Sequence, residues 1–126
     1  FLCGSYLDLD RLFEPGSFDL VVANFSLLGK QSVEVALSKT RALLKPGGSL
    51  LIQTLNPQTL DRTGWQTETW ESLGTLQCSP SPWYSRTMKD WTDLFEIGGW
   101  KLEETLWPQH PSDPEPSSVI FRLSGG

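Results

Sequence analysis

The stretch LKPGGSLLIQTLNP, residues 44 to 57, holds the stop of one element, a tight turn, an apolar run and a second stop at Asn-Pro. Pro46 presets φ for the second position of a type II turn, and Gly47 supplies the positive φ its third position requires. Ser49 to Leu55 then reads as a strand. Upstream, Val33, Val35, Ala36, Leu37, Ala42, Leu43 and Leu44 approximate a helical stripe over 31–44, with Ser32 as its N-cap. Before that lies FDLVVAN, in which Phe18 to Ala23 is almost wholly apolar, as in a strand covered on both faces, and Asn24 ends it. Strand, helix, turn and strand make a βαβ crossover, so the two strands lie parallel. Ligands of open parallel sheets bind beyond the carboxyl ends of the strands, where Asn24-Phe25 and Asn56-Pro57 stand.

The remaining elements extend this sheet. Phe1 to Gly4 suits the end of a buried strand with Ser5-Tyr6 as its polar exit, and LDLDRLFEPGS is a loop or one helical turn. Residues 57–87 form a long irregular connection holding Trp65, Trp70, Trp83 and Tyr84, the length of a lid or binding loop. From Thr87, residues Met88, Trp91, Leu94, Phe95 and Ile97 fall on one helical face that stops at Gly98-Gly99. Trp100 to Trp107 alternates as a strand, and Ser118 to Leu123 follows after a proline-rich turn, so the sheet ends in an antiparallel hairpin.

At 126 residues the chain is about one domain. Ten basic and fifteen acidic side chains give a net charge of −5, which disfavours nucleic acid or an anionic membrane as partner, since both need a cationic footprint. A small or neutral ligand fits better. Cys3 and Cys78 have neither CxxC spacing nor histidine neighbours, so no metal site is expected. Their bland reading is a buried reduced thiol at Cys3 and a reducing, cytoplasmic setting. Phe1, already inside an apolar segment, suggests a chain that starts within a longer one.

The order resembles the carboxyl-terminal half of a class I S-adenosylmethionine-dependent methyltransferase. GSFDLVVANFSLL is similar to that family's fourth strand and following loop, and ALLKPGGSLLIQTLNP to its helix, turn and fifth strand. WTDLFEIGGWKLEETLW resembles the next helix and sixth strand, SSVIFRLS the seventh, and FLCGSYLDL the third strand with its exit. The resemblance implies a partial Rossmann-like α/β sheet, parallel strands with an antiparallel final hairpin, with S-adenosylmethionine as cofactor. It implies methyl transfer to a small-molecule acceptor. Where many members carry an acid that bonds the adenine amino group, this chain has Ser5, a neutral hydroxyl. The glycine-rich loop that opens a helix under the methionine carboxylate has no counterpart in these residues. Little or no activity is therefore expected of the chain alone. In the family's strand order, 3-2-1-4-5-7-6, FDLVVAN then becomes a bare edge, a template for pairing with a second copy or a displaced strand.

By the same resemblance Ser5 and Tyr6 flank adenine, against the reading of a plain turn. Asn24 and Phe25 contact the cofactor's methionine part or the acceptor, against a strand-end cap with a core aromatic. Asn56 faces the acceptor or merely opens a turn. Trp83, Tyr84 and Arg86 are lid residues on the substrate or the packing of a long loop. His110, the sole histidine, is an exposed loop imidazole or a base for the acceptor. Asp8 and Asp10 read as a solvated acidic loop. Methyl transfer needs positioning and exclusion of water more than a dedicated nucleophile, so the absence of a Ser-His-Asp set or a carboxylate pair does not count against it. Two rivals stand beside this expectation: a noncatalytic module that dimerises through its open edge, and half of a nicotinamide-dependent oxidoreductase.

Overall fold

In the computed structural model, which describes residues 2–59, 63–66 and 82–125, the apolar run after the glycine turn lies in a strand paired on both sides. In chain order the elements are α1 (Leu9–Leu12), β1 (Phe18–Asn24), α2 (Gln31–Leu43), β2 (Leu44–Leu55), β3 (Gly64–Gln66), β4 (Trp83–Ser85), α3 (Met88–Ile97), β5 (Lys101–Leu106) and β6 (Ser118–Ser124). A 3-10 turn over Tyr6–Asp8 precedes α1. The main sheet has the order β1-β2-β6-β5, and β3 and β4 form a separate two-stranded ribbon. β1 and β2 are parallel, while β6 is antiparallel to both β2 and β5. This is the 4-5-7-6 portion of the strand order the resemblance implied.

Register decides what is buried. Leu50 and Ile52 of β2 stand beside Val21 and Ala23 of β1 and opposite Leu123 and Phe121 of β6, so these residues share one face. That face meets α2 through Val33, Ala36 and Leu37, and α3 through Trp91 and Phe95, in one continuous core. Phe121 sits at its centre with its ring 5.1 Å from Phe95 and 5.9 Å from Trp91. The opposite face carries Leu20, Val22 and Leu106, all exposed, with Leu51 and Ile120 partly so. A strand covered on both faces was expected at FDLVVAN; one face of β1 is covered by described residues, and Val22 remains 59% exposed.

The turn at 45–48 departs from a simple stop. β2 already pairs at Leu44 with Phe18, then bulges, and resumes pairing at Ser49 with Leu20. Gly47 has φ +80, the left-handed value expected of it. Gly48 is required for a different reason: a Cβ there would lie 2.9 Å from the Lys45 carbonyl oxygen and 3.1 Å from that of Asp19. Helix α2 begins one residue before the expected cap, with Lys30 at the N-cap position and no side-chain hydrogen bond there. Ser32 lies inside the first turn. By contrast α3 carries a full capping box, in which Thr87 accepts from the Asp90 N–H and the Asp90 carboxylate accepts from the Thr87 N–H. Its terminal Ile97, expected on the buried face, is exposed.

Leu2–Gly4 forms no strand, since no described strand lies beside it to take its backbone bonds, and Cys3 is exposed rather than buried. Asp8 and Asp10 do more than meet solvent. Asp8 accepts from the Ser5 N–H, and Asp10 pairs with Lys39 at 2.7 Å, which ties α1 to α2. Trp70 and Cys78 lie outside the described residues, as do residues 60–62 and 67–81 of the 57–87 connection. Among the described residues no helix is long and apolar enough to cross a membrane.

Because the atoms crowding Gly48 are backbone and cannot swing away, Gly48→Ala should destabilise the fold by about 1–3 kcal/mol. Urea unfolding measures this. A change within a few tenths of a kcal/mol would mean that the bulge relaxes freely.

Candidate functional site

The carboxyl ends of β1, β2 and β5 lie at the same end of the sheet, and the turns leaving them are where the candidate residues gather. β1 ends at Asn24, whose side chain is exposed, and the chain then turns at Phe25 with φ +51. A positive φ on a bulky aromatic costs on the order of 1–2 kcal/mol, because Cβ crowds the carbonyl. The turn is nevertheless held: the Phe25 N–H donates to the Gln53 carbonyl at 2.8 Å, and the Tyr6 hydroxyl donates to the Ser26 carbonyl at 2.8 Å. The strain therefore keeps a 41% exposed ring at the strand's end. Sequence spacing could flag Phe25 as a strand-end residue; the strained turn was invisible to it.

Ser5 and Tyr6 reach the same region from the other direction. Ser5 is exposed, and its Oγ accepts from the Leu7 N–H at 3.2 Å within a capping box closed by Asp8, which leaves the hydroxyl proton to donate. Tyr6 commits its hydroxyl to Ser26 and sets its ring along an apolar cavity of about 290 Å³. This cavity runs between residues 6–13, the free side of β1 and α2, and Phe13, Val21 and Leu37 also line it.

Asn56 is turned inward, 3% exposed. Its carboxamide donates to the Pro116 carbonyl at 2.7 Å and accepts from the Gln58 N–H at 2.8 Å, an Asx turn that fastens the β2 exit to the β5–β6 connection. Trp83 is buried, and Tyr84 is half-buried with its ring edge-on to Trp65 at 5.4 Å. Arg86 is 4% exposed and donates from Nη1 to the Gly29 carbonyl at 2.8 Å and from Nη2 to the Lys30 carbonyl at 2.9 Å. His110 is exposed in the β5–β6 connection. The Ser112 N–H lies 3.2 Å from its Nδ1, and the Ser112 hydroxyl lies 2.6 Å from the same nitrogen.

The structure thus ties Tyr6, next to Ser5, to the turn that follows Asn24 and Phe25, and it places Asn56, Trp83 and Arg86 in packing that holds the surrounding turns. Ser5 and Asn24 supply uncharged polar groups, and Phe25 supplies an exposed ring. Among the described residues no glycine-rich turn opens a helix toward this end, so no cradle for the cofactor's carboxylate is formed by them. No group of acids, histidines and cysteines among them is suited to a metal ion.

Residues 1–52 match the family model for a methyltransferase domain. A polyketide synthase-nonribosomal peptide synthetase of Aspergillus clavatus is 32% identical over 117 residues, covering 86% of this chain. A highly reducing polyketide synthase of Aspergillus luteorubrus is 44% identical over 50 residues, 40% of this chain. The chain spans only 3% and 2% of the length of these two relatives. Among solved structures, a putative S-adenosylmethionine-dependent methyltransferase from Listeria monocytogenes superposes with a TM-score of 0.70 at 15% identity. That match covers 91% of this chain and 64% of the other.

Asparagine tolerates the left-handed region better than phenylalanine. Phe25→Asn should therefore leave stability unchanged or raise it by up to about 1 kcal/mol, read as the urea midpoint. A loss larger than about 1 kcal/mol would show that the ring packs rather than stands out.

Proposed function

We propose, from the premise that this chain is a class I S-adenosylmethionine-dependent methyltransferase domain, that residues 1–126 form the acceptor side and one wall of the cofactor site of an enzyme that methylates a polyketide-type acyl chain. The observation that carries the reading is the strained Phe25 turn beside the exposed Asn24, at the carboxyl end of a parallel strand pair. Backbone strain of this kind collects at functional sites, where geometry rather than stability sets the conformation. The acceptor class is suggested by the relatives, which are polyketide synthases by name.

When bound, S-adenosylmethionine supplies a methyl group on an already activated sulfonium. In this reading Ser5 bonds the adenine edge and Tyr6 holds the turn that carries Phe25. Asn24 bonds the methionine part, and the Phe25 ring keeps water from the line of attack. Bound there, the cofactor would supply the methyl group for an in-line displacement by the acceptor, and these residues would hold the two in register. These residues act by placing two reactants in line, which can supply much of the barrier reduction without a catalytic acid or base. The exposed His110 imidazole, in the β5–β6 connection, is the polar ring available to an acceptor at this end.

The glycine-rich loop is taken to come from residues outside this chain. Calorimetry with S-adenosylhomocysteine should accordingly show no micromolar binding to the isolated 126 residues. A protein that also contains such a loop should bind it, and should transfer labelled methyl from S-adenosylmethionine to an acyl thioester. Micromolar affinity of the isolated chain would overturn the assignment of the donor loop to other residues. Absence of transfer by the longer protein would overturn the function.

A further inference from the structure

The loop from Phe25 to Lys30 is held almost wholly by groups from elsewhere in the chain. Tyr6 takes the Ser26 carbonyl, the Tyr84 N–H donates to the Leu28 carbonyl at 2.7 Å, and Arg86 takes the carbonyls of Gly29 and Lys30. Leu27 is buried in the core. The same loop runs directly into α2, whose N-terminus has no side-chain cap. An uncapped helix start would ordinarily leave the entering chain free to fray. Here the restraint comes from Arg86, a residue 56 positions along the chain from Lys30.

The position of Arg86 is costly. Its guanidinium is buried, and it stands beside a helix N-terminus, whose partial positive charge repels a cation. Burial pushes its pKa down, and the opposing influences of Tyr84, Glu34 and Asp90 only partly offset this. Stacking between aromatic rings, 4.8 Å from the Tyr84 centroid and 5.2 Å from that of Trp91, supplies compensation and fixes the plane of the fork. With its plane fixed, the guanidinium addresses two adjacent carbonyls through two separate nitrogens, a rigid fork that the single nitrogen of an ammonium does not reproduce.

Resting on the methyl-transfer reading, we propose that Arg86 is a positioning residue: from the β4 exit it locks the 25–30 loop, and so sets where Phe25 stands relative to donor and acceptor. It touches neither reactant. Removing it should loosen the loop without loosening the sheet, so that both reactants still bind but less often in line.

Arg86→Met, which keeps apolar volume between the two rings, and Arg86→Lys, which keeps a charge but loses the planar two-nitrogen fork, test this in the longest protein containing the domain. Hydrogen exchange at amides 25–30 should accelerate roughly ten-fold or more in the Met variant and less in the Lys variant, with amides 50–54 and 119–123 unchanged. In the methyl-transfer assay kcat should fall about ten-fold while KM for S-adenosylmethionine changes less than about three-fold. Exchange that rises equally across the sheet in both variants would make Arg86 merely structural and overturn the proposal, as would unchanged exchange in the loop. Loosened loop amides with unaltered kcat would overturn it as well. A parent protein that transfers no methyl group would refute the enzymatic reading instead, while exchange would still decide whether Arg86 holds the loop.

Discussion

Everything in this structure hangs on β2 being paired along both edges. Parallel pairing with β1 and antiparallel pairing with β6 leave the backbone of residues 49–53 satisfied within the sheet, so this strand can lie in the apolar interior. The register then sends Leu50 and Ile52 to one face, where both long helices meet them, and Leu51 and Gln53 to the other. A slip of one residue would invert that choice and expose the core side chains. The bulge at 45–48 protects the register from the start of the strand, because Gly48 admits the backbone of β1 at a distance that no other residue allows.

The proposed site inherits its geometry from the same strand. The Gln53 carbonyl receives the Phe25 N–H, so the exit of β1 is fixed by a bond to β2. Asn56 fastens the exit of β2 to the β5–β6 connection. Around this framework the β3–β4 ribbon presents Tyr84 and Arg86 to the loop after β1. The strained turn at Phe25 is thus held on several sides, which is the condition under which strain persists. A reaction governed by alignment suits such an arrangement, since the chemistry asks the protein for fixed positions and a dry path.

Much of this was legible in the residues themselves. FDLVVAN, LKPGG and SLLIQTL carry local signals that agree with their tertiary setting, so the crossover, the left-handed Gly47 and the final hairpin could be read directly. The helical face from Thr87 to the Gly98-Gly99 stop was likewise readable, although the capping box between Thr87 and Asp90 was not singled out. The misses share another cause. Ser32 looked like a cap, but the α2 entrance is fixed from Arg86, a contact between distant segments that no local pattern encodes. Arg86 and Asn56 looked available to a substrate because polar residues at strand exits often are; their burial depends on carbonyls elsewhere in the chain. Cys3 looked buried because its neighbours are apolar, yet burial requires a partner surface as well as an apolar run.

The central claim is that the cofactor is received where β1 ends, between the Ser5 turn and Phe25. Amide chemical-shift mapping with S-adenosylhomocysteine tests it most directly, because it reports position even when affinity is only millimolar. The account predicts that shifts concentrate at residues 5–7 and 24–26. Shifts confined to the opposite end of the sheet, around residues 41–49 and 122–125, would contradict it, as would the absence of any perturbation in the longer protein that carries the glycine-rich loop.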